Sequence, residues 1–364
     1  MNLMNISDFN TPFEIQTLLK KIHEYCQTPM CIMEVCGTHT MSIFKHGIRS
    51  LLPSSLKLLS GPGCPVCVTP QSDMDRFILA ARQKNVIIAS FGDLFRVPAN
   101  HSTLMNERSD GHDIRVVYSP MDALDLARNN QNKSIIFLAV GFETTAPAVA
   151  ATIIMAQAEN IQNFFILSAH RRVIPALELL ITHPDTQIDG FILPGHVSTI
   201  IGESAYGHIP DKFNIGGVIA GFEAGDIVYA IYQLVLQILQ KSPCIENAYL
   251  RAVNSEGNIK AKELMSKVFK VTDANWRGIG NIPNSGLVLK RAYASFDAVN
   301  RFELDVKKSN NPRGCQCGEV LMGLITPNQC QLYEKVCTPA YPVGPCMVSS
   351  EGTCAAYYRY ARKI

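Results

Sequence analysis

Eight short runs of β-branched and aliphatic residues recur between about residues 30 and 225, spaced roughly 20–30 positions apart, with segments of helical period between them. They cover 30–35, 56–60, 86–90, 114–118, 135–140, 164–167, 191–193 and 218–220. Several are nearly continuous in apolar character, as strands are in a parallel sheet covered by helices on both faces. The pattern predicts an α/β fold. Between the runs, 72–83 sets Met74, Phe77, Ile78 and Ala81 at helical spacing, with Ser72 and Asp73 as capping residues, and 121–128, 145–160 and 173–181 read as helices in the same way. For 364 residues, two half-sized α/β units, 30–118 and 119–225, suit the length better than one eight-stranded sheet. After Phe222 the character changes. Residues 226–240 form an amphipathic helix with Ile227, Ile231, Leu234, Val235 and Ile238 on one side, and a polar stretch at 307–313 leads into a tail with too little apolar periodicity to fold on a core of its own. A metal centre would supply what that core lacks.

Twelve cysteines are many for a chain too large to need disulfide staples. Cys36, Cys64 and Cys67 share one N-terminal region, Cys315, Cys317, Cys330, Cys337, Cys346 and Cys354 crowd the last 50 residues, and Cys26, Cys31 and Cys244 stand apart. The start MNLMNISDFNTPFEIQ has no basic segment followed by an apolar one, so a soluble cytoplasmic protein is expected. In a reducing compartment such clusters argue for metal or redox chemistry. The net charge of +2, with 33 basic against 31 acidic residues scattered along the chain, argues against nucleic acid or an anionic membrane as partner. The most apolar stretch, 134–157, is broken by Gly141, Glu143 and Pro147 and does not read as a bilayer span.

Nearly every unusual motif directly follows a predicted strand: Cys36-Gly-Thr-His39-Thr, Gly61-Pro-Gly-Cys64-Pro-Val-Cys67, Gly141-Phe-Glu143-Thr-Thr, His170-Arg-Arg and Gly195-His196-Val-Ser. In open α/β sheets ligands bind outside the carboxyl ends of the strands, so these loops are expected to share one crevice. Cys64-x-x-Cys67 suits a disulfide, half a zinc site or an iron centre equally. Cys36 adds a third thiol, or is simply a buried cysteine in a tight turn, and His39 is a ligand, base or supporting donor. Three soft thiolates suit a low-valent transition metal rather than magnesium or calcium. Glu143 reads most simply as a capping carboxylate for the helix near Thr144 and Thr145, and His170 and His196 as either site residues or satisfied polar groups. In the tail, Cys317, Cys330, Cys337 and Cys354 have gaps of 13, 7 and 17, which match neither a zinc ribbon nor a bacterial ferredoxin run, and both four-cysteine zinc and a [4Fe–4S] cube remain open.

Taken together, the Cys36, Cys64/Cys67 and Gly141–Thr145 motifs, Pro194-Gly-His-Val-Ser198 and the tail Gly344-Pro-Cys-Met-Val-Ser-Ser-Glu-Gly-Thr-Cys354 resemble the HypD family of [NiFe]-hydrogenase maturation factors over essentially the whole chain. The resemblance implies two Rossmann-like parallel-sheet units and a C-terminal domain, 226–364 with residues 1–29 packed on it, similar to ferredoxin–thioredoxin reductase. It implies a cytoplasmic scaffold that assembles Fe(CN)2(CO) with the chaperone HypC and the cyanide donor HypE. Cys36, Cys64 and Cys67 would then hold or serve the iron, and Cys317, Cys330, Cys337 and Cys354 would ligate a [4Fe–4S] cluster, with Cys315 and Cys346 additional to that set. If cyanide arrives as a thiocyanate, a Cys64/Cys67 dithiol recharged through the cluster supplies the two electrons that split S–CN. His39, Glu143 and His196 would line the crevice as proton donors or hydrogen-bond partners. Two other classes fit the cysteines: a self-contained, cluster-fed thiol–disulfide reductase, and a structural zinc protein.

Overall fold

The computed structural model describes residues 11–306 and 309–361. The first ten residues of the start MNLMNISDFNTPFEIQ, on which the expectation of a soluble cytoplasmic protein drew, and the first two residues of the polar stretch at 307–313 lie outside the described residues. All eight apolar runs are strands: β1 (Met30–Glu34), β2 (Leu56–Ser60), β3 (Val86–Ser90), β4 (Asp113–Val116), β5 (Ser134–Gly141), β6 (Phe164–His170), β7 (Gly190–Pro194) and β8 (Gly216–Ala220). With β9 (Ile245–Asn247) they form two wholly parallel sheets, ordered β2-β1-β7-β8-β9 and β4-β3-β5-β6. Every residue of β3, β7 and β8 is buried, which is why these strands read as unbroken apolar runs.

The strands are shared between the sheets differently from a sequential division. The chain leaves the first sheet after β2, builds the whole second sheet from β3 to β6, and returns at β7. A boundary at 118/119 separates β4 from β5 within one sheet, and one at 225/226 cuts the helix Ala224–Gln240. Apolar continuity reports burial on two faces and carries no information about which sheet a strand joins.

The helix Ala224–Gln240 buries Ile227, Ile231, Leu234 and Val235 against β7 and β8, where Leu18 and Ile22 of the helix Pro12–Tyr25 complete the layer. It therefore belongs to the first sheet. The helices Pro120–Asn129, Ala146–Ala158 and Val173–Thr182 lie where the periodicity puts them. The helix Gln71–Ala81 does too, but Pro70 holds its N-cap position, and Asp73 is engaged by Arg76 and Arg171 instead of capping.

Two features were not legible. An antiparallel hairpin, β10 (Phe269–Trp276) and β11 (Gly280–Leu289), lies against β6. The tail, in turns and the short helices Cys317–Leu321 and Thr353–Tyr360, draws its core from the rest of the molecule. Cys317, Leu321 and Cys346 join Met33, Leu59 and Trp276 in one cluster, while Tyr357 packs on Phe44 of the helix Gly37–Lys45 with ring centroids 4.6 Å apart.

If the helix Pro12–Tyr25 is integral to the first sheet, Ile22→Ala should cost about 2–5 kcal/mol, the range for emptying a buried branched aliphatic site, read as a shift in the urea unfolding midpoint at unchanged slope.

Candidate functional site

Loops from the carboxyl ends of β1, β2, β5 and β7 meet a segment of the tail around a cleft of about 440 Å3, bordered by Cys36, Thr38, Gly63, Pro65, Phe142, Thr145, His196 and Glu351. Two larger clefts, of about 700 and 800 Å3, open elsewhere, beside Lys57 and Asp189 and beside Arg172 and His208. The motif residues gather in the smaller one.

The β1 and β2 loops are clasped backbone to backbone. Gly37 N–H donates to Gly63 O at 3.1 Å and Gly61 N–H to Glu34 O at 2.7 Å, and a Cβ on Gly63 would lie 2.3 Å from Cys36 N. Beneath the clasp sits a residue that the motif reading passed over. The buried Glu34 carboxylate accepts from Cys36 N–H at 3.1 Å, from Thr40 Oγ1 at 2.5 Å and from Ser60, tying both loops to the helix Gly37–Lys45. Burial pushes its pKa up to about 7. A lone carboxylate in the apolar run MCIMEV was the available signal.

Cys36 is the N-cap of the helix Gly37–Lys45 and is 7% exposed. Burial, then the nearby Glu351, push its thiol up to about 12 against the N–H groups of His39 and Thr38, which favour the thiolate. The free side chain is therefore favoured as a thiol, whose proton a bound soft cation would displace.

Cys64 and Cys67 form a disulfide across the first turn of the helix Pro65–Val68, 3% and 0% exposed. Cys64 Sγ accepts from Cys67 N–H at 3.1 Å and lies 3.3 Å from Ser349 Oγ. Ser349 donates to Asp93 Oδ2 at 3.0 Å, and Ser350 donates to the same oxygen through N–H and Oγ, at 3.1 and 2.8 Å. Next along the chain, Glu351 accepts from Thr38 Oγ1 at 2.7 Å. The tail thus closes over both cysteine loops at once.

Of the polar residues expected along the crevice, only His196 borders it, exposed and stacked on Phe222 at 4.0 Å. His39 points inward, its Nε2 bonded to Gly221 O at 2.8 Å, and burial lowers its pKa to about 4. Glu143 is buried too. Its carboxylate accepts from Val173 N–H at 3.1 Å, so it caps the helix Val173–Thr182 rather than the one near Thr144. His170 is enclosed beside Phe269 and Ser168, with its pKa lowered by burial to about 3. A motif's place after a strand fixes its backbone but not the direction of each side chain.

The tail cysteines lie near one another in pairs. Cys315 and Cys317 share a hydrogen bond that draws the Cys315 thiol down and pushes Cys317 up, and Cys346 and Cys354 share another. Cys337 Sγ accepts from Val343 N–H at 3.3 Å and senses the charges of Cys315 and Cys330. Cys315 and Cys346 thus stand among the other four. Among the described residues, no three His, Cys, Asp or Glu side chains are gathered to hold one ion.

The model of the hydrogenase formation hypA family, HypD, matches residues 14–361. The hydrogenase maturation factor HypD of Escherichia coli K12 is 40% identical over 366 residues, covering 98% of each chain. HypD of Azotobacter vinelandii is 42% identical over 339 residues, 91% of this chain and 89% of its own, and a putative hydrogenase expression/formation protein of Methanocaldococcus jannaschii is 41% identical, covering 91% and 92%. The chain belongs to the HypD family of hydrogenase maturation factors. Beside the family's cysteine motifs stand Glu34, Asp93, Ser349 and Glu351, whose contacts with those loops no motif announced. No helix among the described residues is long and apolar enough to cross a membrane.

Glu143 gives a stability prediction with a definite sign. Its pKa is raised by burial from an ordinary 4.5 to about 7, so the native state holds its proton more tightly. Stability from this group is full below about pH 4.5 and is lost as pH rises through 7. Glu143→Gln cannot ionise and should gain about 3 kcal/mol relative to the parent between pH 4.5 and 8, read from paired urea titrations. The buried His39 and His170 act oppositely below pH 6.5, but equally in both proteins, and cancel in the difference.

Proposed function

We propose that this chain is a cytoplasmic scaffold on which the Fe(CN)2(CO) group of a [NiFe]-hydrogenase is assembled, together with a HypC-like chaperone and a HypE-like cyanide donor. The observation that carries the reading is the pairing, in one cleft at the carboxyl ends of both sheets, of a protonated cysteine, Cys36, with a loop whose Cys64 and Cys67 are joined as a redox couple. Membership of the family agrees with it.

The iron fragment is cargo. As the Cys36 sulfur binds the soft, low-valent iron its proton is displaced to solvent, and the N–H groups of His39 and Thr38, which favour the thiolate, stabilise the charge left on the sulfur. Glu34 holds the Cys36 loop in register, and His196 presents an imidazole from the opposite wall. The Cys64/Cys67 loop also serves the iron site, as the reductant for cyanide release. With the couple reduced, Cys64 attacks the sulfur of the donor's thiocyanate. The S–CN bond breaks, cyanide leaves with the electron pair, and a mixed disulfide forms. Cys67 then attacks Cys64 Sγ, closing the disulfide and releasing the donor's thiolate. Two thiols are oxidised, one thiocyanate is reduced to thiol and hydrogen cyanide, and two protons pass from the cysteines to these products. Because the couple is sealed beneath Ser349, the donor reaches Cys64 only when the tail segment lifts.

The tail thiols suit a [4Fe–4S] cluster in donor chemistry, since all six are cysteines and three of them, Cys315, Cys317 and Cys346, sense the buried guanidinium of Arg277. On this reading Cys317, Cys330, Cys337 and Cys354 hold it in a domain resembling ferredoxin–thioredoxin reductase, and the bound cluster supplies the electrons that return Cys64 and Cys67 to the dithiol.

Infrared spectra of the complex with a HypC-like chaperone should show CN and CO bands that Cys36→Ser abolishes. Anaerobic mixing of a cyanated HypE-like donor with Cys64→Ser should give no cyanide transfer to iron; undiminished transfer removes the dithiol from the mechanism. Turnover of a soluble disulfide without partners would instead mark a self-contained reductase, and a colourless zinc-loaded protein a structural zinc fold.

A further inference from the structure

Arg277, which immediately follows β10, is 1% exposed. Its backbone N–H donates to Val68 O at 2.8 Å, its Nε to Thr69 O at 2.8 Å and its Nη1 to Gln71 Oε1 at 2.7 Å. These contacts fix the guanidinium directly behind the helix Pro65–Val68. Its Nη2 is buried and has no hydrogen-bond partner. Among the described residues no carboxylate accepts from this side chain; Asp75, the acid that it senses, is held by Asn100 and Ser309. A buried cation with a spare donor and no counter-ion is costly unless an anion occupies the place it faces.

What it faces is the tail. Gly278, at φ +70°, meets Gly318 so closely that a Cβ would lie 2.4 Å from Gly318 Cα, which pins Cys317 next to Arg277. Cys346 shares their core and sits in the turn Pro345–Met347, packed on Pro65–Val68. Cys315, Cys317 and Cys346 are the sulfurs whose charge Arg277 senses, so a thiolate formed on any of them would favour the charged guanidinium and be favoured by it.

We propose that Arg277 is the buried counter-charge of an anionic thiolate centre formed by the tail cysteines, with its free Nη2 donating to the Cys317 sulfur once that centre is assembled. It is a positioning residue. A fixed cation donating to sulfur stabilises the more negative redox state, and so raises the reduction potential of whatever the thiolates hold.

The potential readout rests on the iron–sulfur reading of the tail; a second readout does not. After anaerobic cluster reconstitution into the full chain, R277Q should make one-electron reduction about tenfold less favourable, a 59 mV fall in midpoint, followed by electron paramagnetic resonance. Q71E, which neutralises the guanidinium but keeps an acceptor, should move it the same way, and Q71L should leave it in place. An unmoved potential in folded R277Q overturns the proposal, as does an equal fall in Q71L, which would make the role structural. If R277Q fails to fold, an unmoved Q71E is decisive against it. In the second arm, Co2+ is titrated into metal-free protein in a C64S/C67S background and read by thiolate-to-cobalt absorption. R277Q, or Q71E in its place, should weaken binding about tenfold, and equal affinities overturn the proposal. Weakened cobalt binding in a chain that takes up no cluster would refute the iron–sulfur reading while upholding the counter-charge.

Discussion

The backbone contact between Gly63 and Cys36 leaves no space for a side chain, and the site depends on it. With a Cβ on Gly63 only 2.3 Å from Cys36 N, the two loops would part. With glycine there, the loop after β2 lies on the loop after β1, and Glu34 accepts hydrogen bonds from both sides of the junction. Neighbouring parallel strands bring the loop bases within reach. The clasp then converts that proximity into a fixed relation between a single thiol and a disulfide. Replacing either glycine-bearing loop by an ordinary turn would keep the cysteines nearby but lose the register.

The interleaved sheets add a second constraint. Because β3 to β6 are inserted between β2 and β7, the carboxyl ends of two sheets face one cleft, and residues from β1, β2, β5 and β7 share it. Two units in sequence, joined by one crossing, would allow the walls of such a cleft to move apart freely. Here the chain crosses between the sheets twice, and the tail adds a strap: Ser349 and Ser350 hold Asp93 after β3, while Glu351 holds Thr38 after β1. The lack of a separate core in the tail follows from this. Its apolar residues are spent on the two sheets, and a free-standing domain would have had none to spare for the cleft.

The strands were legible because strands buried on both faces leave continuous apolar runs, and so were the helices that cover them. The hairpin of β10 and β11 was not, because FKVTDANW mixes exposed and buried positions without a clean alternation. The cysteine loops were found because Gly, Cys and His after a strand are rare enough to notice. Asp93 and Arg277 carry no local signal at all, and Ser349, though inside the Gly344–Cys354 motif, gives no sign of its partner. Ser349 meets Asp93 across 256 residues of sequence and Arg277 meets Thr69 across 208. Such roles exist only in the fold. Glu143 and His39 show the converse limit, since their motifs were noticed correctly and their side chains turn away from the cleft into structural bonds.

The burial of the Cys64–Cys67 pair bears on why a scaffold would combine these parts. On the proposed function, the reduced pair that splits a thiocyanate would also reduce any accessible disulfide, and exposure would spend its electrons on solvent-borne oxidants. At 3% and 0% exposure, under a serine that is itself bound to Asp93, the pair is closed to solvent while the strap is in place. Cys36 is guarded by a different means. It borders the cleft, but burial and the charge of Glu351 keep it protonated, so it is a poor nucleophile until a metal arrives. Glu351 belongs to the same strap. Lifting that segment would uncover the Cys64–Cys67 pair and remove the negative charge beside Cys36 in one movement, so that access to the pair and the acidity of the Cys36 thiol are coupled by the geometry of three consecutive residues, Ser349 to Glu351.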